Sequence, residues 1–148
     1  MVCIDYFQKE LEYIREFPRD LAKIFHTRLS KEQYDIICYE AIRRCPEMIE
    51  YVSDPNMLLC AAAIQADEST IRFLSYDKCL QFLEFAPKLL RFIPDYLQTE
   101  EMCLIAVKKN PMCLKYVHNQ TEPIVFSAIT YAPIAIIYVR DPTNTTFF

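Results

Sequence analysis

Between Ser30 and Val139, apolar positions recur with a period of about 22 residues, and each period splits into the same two halves. The first half carries Cys38, Ala41 and Ile42; then Cys60, Ala63 and Ile64; Cys79 with Phe82 in the alanine column; Cys103, Ala106 and Val107; and Val125, Ala128 and Ile129. Ile37, Leu59 and Met102 add an apolar residue just before the cysteine column, which completes the i, i+1, i+4, i+5 stripe of a short amphipathic helix. The second half opens at Pro46, Pro87, Pro111 and Pro133, with Glu68 in the proline column of the second period. Proline lacks the N–H that would continue one helix, and its fixed φ suits the first turn of another, so it breaks and restarts. Three, five and six residues later stand Ile49, Tyr51 and Val52; Ile71, Phe73 and Leu74; Leu90, Phe92 and Ile93; Leu114, Tyr116 and Val117; and Ile136, Tyr138 and Val139. These columns predict a second helix of about two turns that turns all three inward and leaves the position four after the proline facing out.

The proline column stands at positions 46, 68, 87, 111 and 133, so the register slips only around the third period, where linker length absorbs it. Asn56, Ser75, Thr99 and Thr121 stand seven residues before the alanine column, where a side-chain oxygen can accept a first-turn amide. The first period starts earlier, with the capping box Ser30-Lys31-Glu32-Gln33. The expected fold is all-α: a helical-repeat array of about five two-helix units over residues 30–139 in a single domain, with an N-terminal helical segment at 1–29 and a truncated sixth unit and tail at 140–148. In the N-terminal segment, Leu11-Glu12-Tyr13-Ile14 matches the end of a second helix; in the tail, Asp141-Pro142-Thr143 repeats Asp54-Pro55-Asn56.

The fourth unit, from Glu100-Glu101-Met102-Cys103 through Ala106-Val107 to Asn110-Pro111 and Tyr116-Val117, resembles a family of short helical repeats of unknown function found in bacterial proteins and, abundantly, in giant DNA viruses of amoebae. The resemblance extends over roughly residues 30–139 and departs at Glu68 and Phe82. It implies a helical array, no assigned activity and, if viral, a setting in the virion or the infected host cell.

Composition narrows the chemistry. The absence of glycine removes every phosphate loop that needs backbone to approach a ligand without a Cβ. A net charge of -4 supplies no global field for a polyanion, which disfavours nucleic acid as a partner. Seven cysteines, four in one column, read as packing in a reducing, intracellular setting, and the sequons at Asn119 and Asn144 read as chance. Cys45 and Cys113 fall outside that column and are expected nearer the surface. The start of the chain lacks the basic-then-apolar pattern of a secretory signal. The uncharged stretch 123–139 is interrupted by Pro133, Ser127 and Thr130, so no membrane span is expected.

His26 and His118 are joined by no motif to a nucleophile or carboxylate, so catalytic residues, metal ligands and cofactors are all expected to be absent. Glu100-Glu101 and Asp67-Glu68 read as charges near helix ends. What remains is surface. The outward column reads Glu50, Arg72, Arg91, Lys115 and Ile137, and basic pairs Arg43-Arg44 and Lys108-Lys109 end two first helices. Arg72, Arg91, Lys115 and those pairs form a candidate row for an anionic partner. Ile134 and Ile137, with Phe147 and Phe148, form a candidate self-association face, because an apolar row where other units carry charge needs a cover. The expected function is a non-enzymatic interaction or structural protein that holds another protein or a second copy of itself, with nucleic-acid binding through the basic row as the alternative.

Overall fold

The computed structural model describes residues 5–141, which form helices and connecting turns with no strand among them. Six α-helices alternate with six-residue 3-10 helices: α1 (Tyr6–Glu16), α2 (Lys31–Arg44), α3 (Met57–Ala66), α4 (Tyr76–Phe85), α5 (Glu100–Lys109) and α6 (Glu122–Tyr131). Each is followed by one turn, at Pro18–Lys23, Pro46–Tyr51, Glu68–Phe73, Pro87–Phe92, Pro111–Tyr116 and Pro133–Tyr138 respectively. The all-α helical-repeat class is therefore observed. The second helix of each unit is a 3-10 helix, because six residues between a proline and an extended exit are too few for an α-helix but suit two turns of i→i+3 bonding.

The inward columns differ in part from those expected. At three residues per turn, side chains eclipse every third position, so the turn is a prism with three edges. The positions two, three and six after the proline column are buried: Met48, Ile49 and Val52; Thr70, Ile71 and Leu74; Leu89, Leu90 and Ile93; Cys113, Leu114 and Val117. The aromatic column five after it, expected inside, is only half-buried, and Tyr51 is 51% exposed. Cys113, expected near the surface, is 0% exposed because its position belongs to an inward edge. The positions one and four after the proline share the remaining edge, and it faces out.

On the α-helices the predicted stripe is the core. Ile37, Cys38, Ala41 and Ile42 are buried, as are Leu59, Cys60, Ala63 and Ile64, then Cys79, then Met102, Cys103, Ala106 and Val107, and finally Val125 and Ala128. Ser30 closes its capping box, accepting the Gln33 N–H at 3.2 Å while Gln33 accepts the Ser30 N–H at 3.0 Å. Asn56 and Thr99 cap α3 and α5, accepting the N–H groups of Leu59 and Met102. Ser75 and Thr121 occupy the cap position without a side-chain cap bond; the Thr121 hydroxyl instead donates to Glu100 Oε1 at 2.6 Å. In a chain without glycine, Asp54 takes the single positive φ among the described residues, 47°, a conformation that Asp tolerates better than most residues.

The backbone gathers into two compact units, Met1–Leu74 and Ser75–Phe148. Each holds three α/3-10 pairs, with an extra three-residue 3-10 turn after the first pair, His26–Arg28 in one and Asp95–Leu97 in the other. The N-terminal segment is thus a full pair. Leu11, Tyr13 and Ile14 lie in α1, before Pro18, not in a second helix, and Leu21 and Ile24 fill the columns three and six after that proline. Within each unit, α-helices pack on α-helices and 3-10 turns on 3-10 turns, so each unit has an α layer and a 3-10 layer.

Candidate functional site

The outward edges of the 3-10 layer carry the residues singled out by sequence. In the second unit the turns Pro87–Phe92, Pro111–Tyr116 and Pro133–Tyr138 pack side by side. Their outward pairs are Lys88 and Arg91, then Met112 and Lys115, then Ile134 and Ile137. Arg91 and Lys115 are exposed and brought to adjacent turns, and Ile134 and Ile137 are 62% and 63% exposed on the next. Each base lies against the aromatic ring that follows it: the Arg91 guanidinium is 4.4 Å from the Phe92 ring centre, and Lys115 Nζ is 4.9 Å from that of Tyr116 and 5.7 Å from that of Tyr138. The half-buried aromatic column thereby lines the basic edge.

Beneath this edge lies Cys113. Burial pushes its thiol up to about 11, while the charges of Lys115 and Lys88 both pull the other way.

In the first unit, Arg72 is exposed with its guanidinium 4.7 Å from the Phe73 ring centre. The other turns of that unit carry Asp20, Glu47 and Glu50, so its 3-10 layer is mixed in charge. The basic pairs at helix ends do not join the row as open charges. Arg43 pairs with Glu40 at 3.1 Å, Arg44 donates to the Arg15 carbonyl, and Lys109 pairs with Glu84 at 2.7 Å; Lys108 is exposed on α5. Phe147 and Phe148 lie outside the described residues.

The chemistry-bearing side chains serve the fold. Glu100 and Glu101 each accept a hydroxyl from a neighbouring repeat, that of Thr121 and that of Tyr76. Asp67 accepts the Ser69 N–H at 2.9 Å, and its hydrogen bonds with Ser69 hold its carboxyl below the usual range. His118 is exposed and places Nδ1 3.0 Å from Asp95 Oδ2. A recess of about 320 Å³ in the first unit gathers His26, Ser30, Tyr34, Asp35, Ser53 and Asp54. No relay forms there: the His26 ring packs on Tyr34, Ser30 caps α2, and Asp35 accepts from Asn56 Nδ2 at 2.9 Å. Among the described residues no group of three or more His, Cys, Asp or Glu could hold a metal ion, and no helix is long and apolar enough to cross a membrane.

Sequence reading missed two glutamines. Gln98 shares its side-chain amide among the carbonyls of Leu90, Ile93 and Tyr116 at 3.3, 3.0 and 3.1 Å, and its oxygen accepts the His118 N–H. Gln120 repeats this one unit on, donating to Leu114 and Tyr138 carbonyls at 3.0 and 2.9 Å and accepting from Arg140 N–H. Both stand just before a helix cap, a recurrence visible in the sequence. A cavity of about 490 Å³ is bounded by Gln120, Thr121, Glu122 and Val125 with Val139 and Arg140. Its counterpart one repeat earlier, at Gln98, Thr99, Glu100 and Cys103, is about 50 Å³ because Asn119, Thr121 and Ile124 of the next repeat fill it. The larger space occupies the position that the next repeat fills one unit earlier.

Residues 77–121 are similar to a protein family described as a domain of unknown function, DUF4116. No curated protein and no solved structure matches the chain.

Proposed function

We propose that this chain is a non-enzymatic interaction protein that presents the outward edge of its 3-10 layer to another protein or to a second copy of itself. One contrast carries the reading: carboxylates and hydroxyls that could do chemistry are consumed by links between repeats, whereas Arg91, Lys115, Ile134 and Ile137 stand exposed on a rigid, repeated support. Such edges are the usual contact surface of repeat proteins. Self-association would use Ile134 and Ile137. If the resemblance to the giant-virus repeats is followed, the setting is intracellular, in the virion or the infected cell.

A second reading, nucleic-acid binding, is favoured by one observation, the interleaving of bases with aromatic rings at Arg91, Phe92, Lys115 and Tyr116. Affinity capture of the full chain from its native cell, with and without nuclease, separates the readings. A protein recovered in stoichiometric amount after nuclease treatment supports the first. Recovery of nucleic acid alone, or turnover of a co-purified small molecule, contradicts it.

A further inference from the structure

Charge is distributed unevenly along the chain. Residues 1–74 hold nine basic and thirteen acidic side chains and residues 75–148 hold seven of each, so the whole net charge of -4 belongs to the first half. In the second unit the split is also spatial. Its three six-residue 3-10 turns read PKLLRF, PMCLKY and PIAIIY, with no carboxylate, and its acidic residues lie on the α-helices, at Asp95 in the short Asp95–Leu97 turn and at Asp141. The outward edge therefore grades from two bases, through a methionine and a base, to two isoleucines, across turns spaced at about the 10 Å of packed helices.

Resting on the reading above, we propose that this edge is the docking surface for one class of partner: an extended or helical peptide segment that carries carboxylates at one end and aliphatic side chains at the other. Charge complementarity selects the acidic end, since Lys88, Arg91 and Lys115 face out with no carboxylate on their own turns. The third turn decides between peptide and polynucleotide. A phosphodiester chain needs a cation or a donor at each step, and Ile134 and Ile137 offer neither. An aliphatic side chain is what two isoleucines beside Met112 can desolvate. The rings of Phe92, Tyr116 and Tyr138 supply apolar floor beneath the bases and fix their stems.

The test is fluorescence anisotropy on the full chain with three labelled twelve-residue probes: a peptide with a Glu-rich half and a Leu-rich half, an all-Glu peptide, and oligo(U). The mixed peptide is expected to bind most tightly, weakening as salt rises. The pair Lys88→Glu with Lys115→Glu should lower its affinity roughly tenfold or more, and Ile137→Ser should lower it while leaving the all-Glu peptide unchanged. Lys115→Gln, a milder change, should show a smaller loss, and Arg72→Glu in the first unit should show none; circular dichroism checks that each variant keeps its helices. Tighter binding of oligo(U), equal binding of both peptides, or no binding of any probe overturns the proposal. So does light scattering that shows a dimer dissociated by Ile137→Lys, which would give the face to a second copy. A stoichiometric protein captured from the native cell despite such a result would leave the interaction reading standing and remove only this partner class.

Discussion

At the scale of single residues, the buried thiols are the most direct check on the repeat register. Cys38, Cys60, Cys79, Cys103 and Cys113 are buried and Cys45 is half-buried, so among the six cysteines within the described residues a thiol reagent added to native protein should reach Cys45 first and spare the other five until denaturant is added. Replacement by serine should separate the sites. Cys103 Sγ lies 3.9 Å from Gln98 Oε1, a ready acceptor, whereas Cys113 is 0% exposed; Cys113→Ser should cost about 1 to 3 kcal/mol in urea melts and Cys103→Ser less. Ser127 Oγ is buried with no partner, so Ser127→Ala should leave stability unchanged or raise it by about 1 kcal/mol. The thiols also set a pH limit. Burial raises Cys38 from 9.0 to about 12 and Cys103 and Cys113 to about 11, so the folded chain holds these protons more tightly than the unfolded chain. Stability should be intact below about pH 9 and fall as pH rises from there toward 11 to 12, as unfolded thiols ionise first. The cysteine column was legible because α-helical spacing is robust. Cys113 was not, because the sequence pattern marks only the columns three, five and six after the proline as inward, and Cys113 stands two after it.

At the scale of elements, the sequence showed where each helix begins and ends but not which kind of helix follows the proline. Pro46, Pro87, Pro111 and Pro133 all open a turn, and Glu68 opens one without a proline, so the column marks a place that packing specifies and proline reinforces. The aromatic column sits at the rim and not in the core, and there Phe92 and Tyr116 lie against Arg91 and Lys115. Short 3-10 turns leave their last carbonyls without intrahelical donors, and Gln98 and Gln120 supply them. Gln120→Ala removes a donor to two carbonyls and an acceptor for the Arg140 amide, and should cost about 1.5 to 3 kcal/mol. Gln120→Glu keeps the acceptor but faces a carboxylate with carbonyls, and should cost more. Chemical denaturation of the two variants side by side checks the order. A single sequence displays those glutamines as polar linker residues, since their partners are main-chain groups 18 residues away that carry no sequence signature.

For the whole molecule, the repeat columns read as one array over residues 30–139, yet the chain gathers into two compact units of three pairs that divide after Leu74, where the spacing of the proline column shortens from 22 to 19 residues. The candidate row divides accordingly: Arg43, Arg44 and Arg72 belong to the first unit, and Arg91, Lys108, Lys109 and Lys115 to the second. Of these, the side-by-side turns of the second unit join only Arg91 and Lys115 into one edge, continued by Ile134 and Ile137. The terminal turn is also less covered than its predecessor, with Ile136 40% exposed where Leu114 is 0%. Light scattering decides which occupant takes that face: a monomer leaves it to the peptide, whereas association that Ile134→Glu with Ile137→Lys abolishes, the helical circular dichroism being kept, would give it to a second copy. The claim on which the account rests is that partners meet the 3-10 layer of the second unit. Amide hydrogen exchange of the full chain, alone and with its captured partner, tests that claim most directly. The account predicts new protection in Pro87–Phe92, Pro111–Tyr116 and Pro133–Tyr138 with α4, α5 and α6 unchanged; protection confined to the α-helices, or to the first unit, would contradict it.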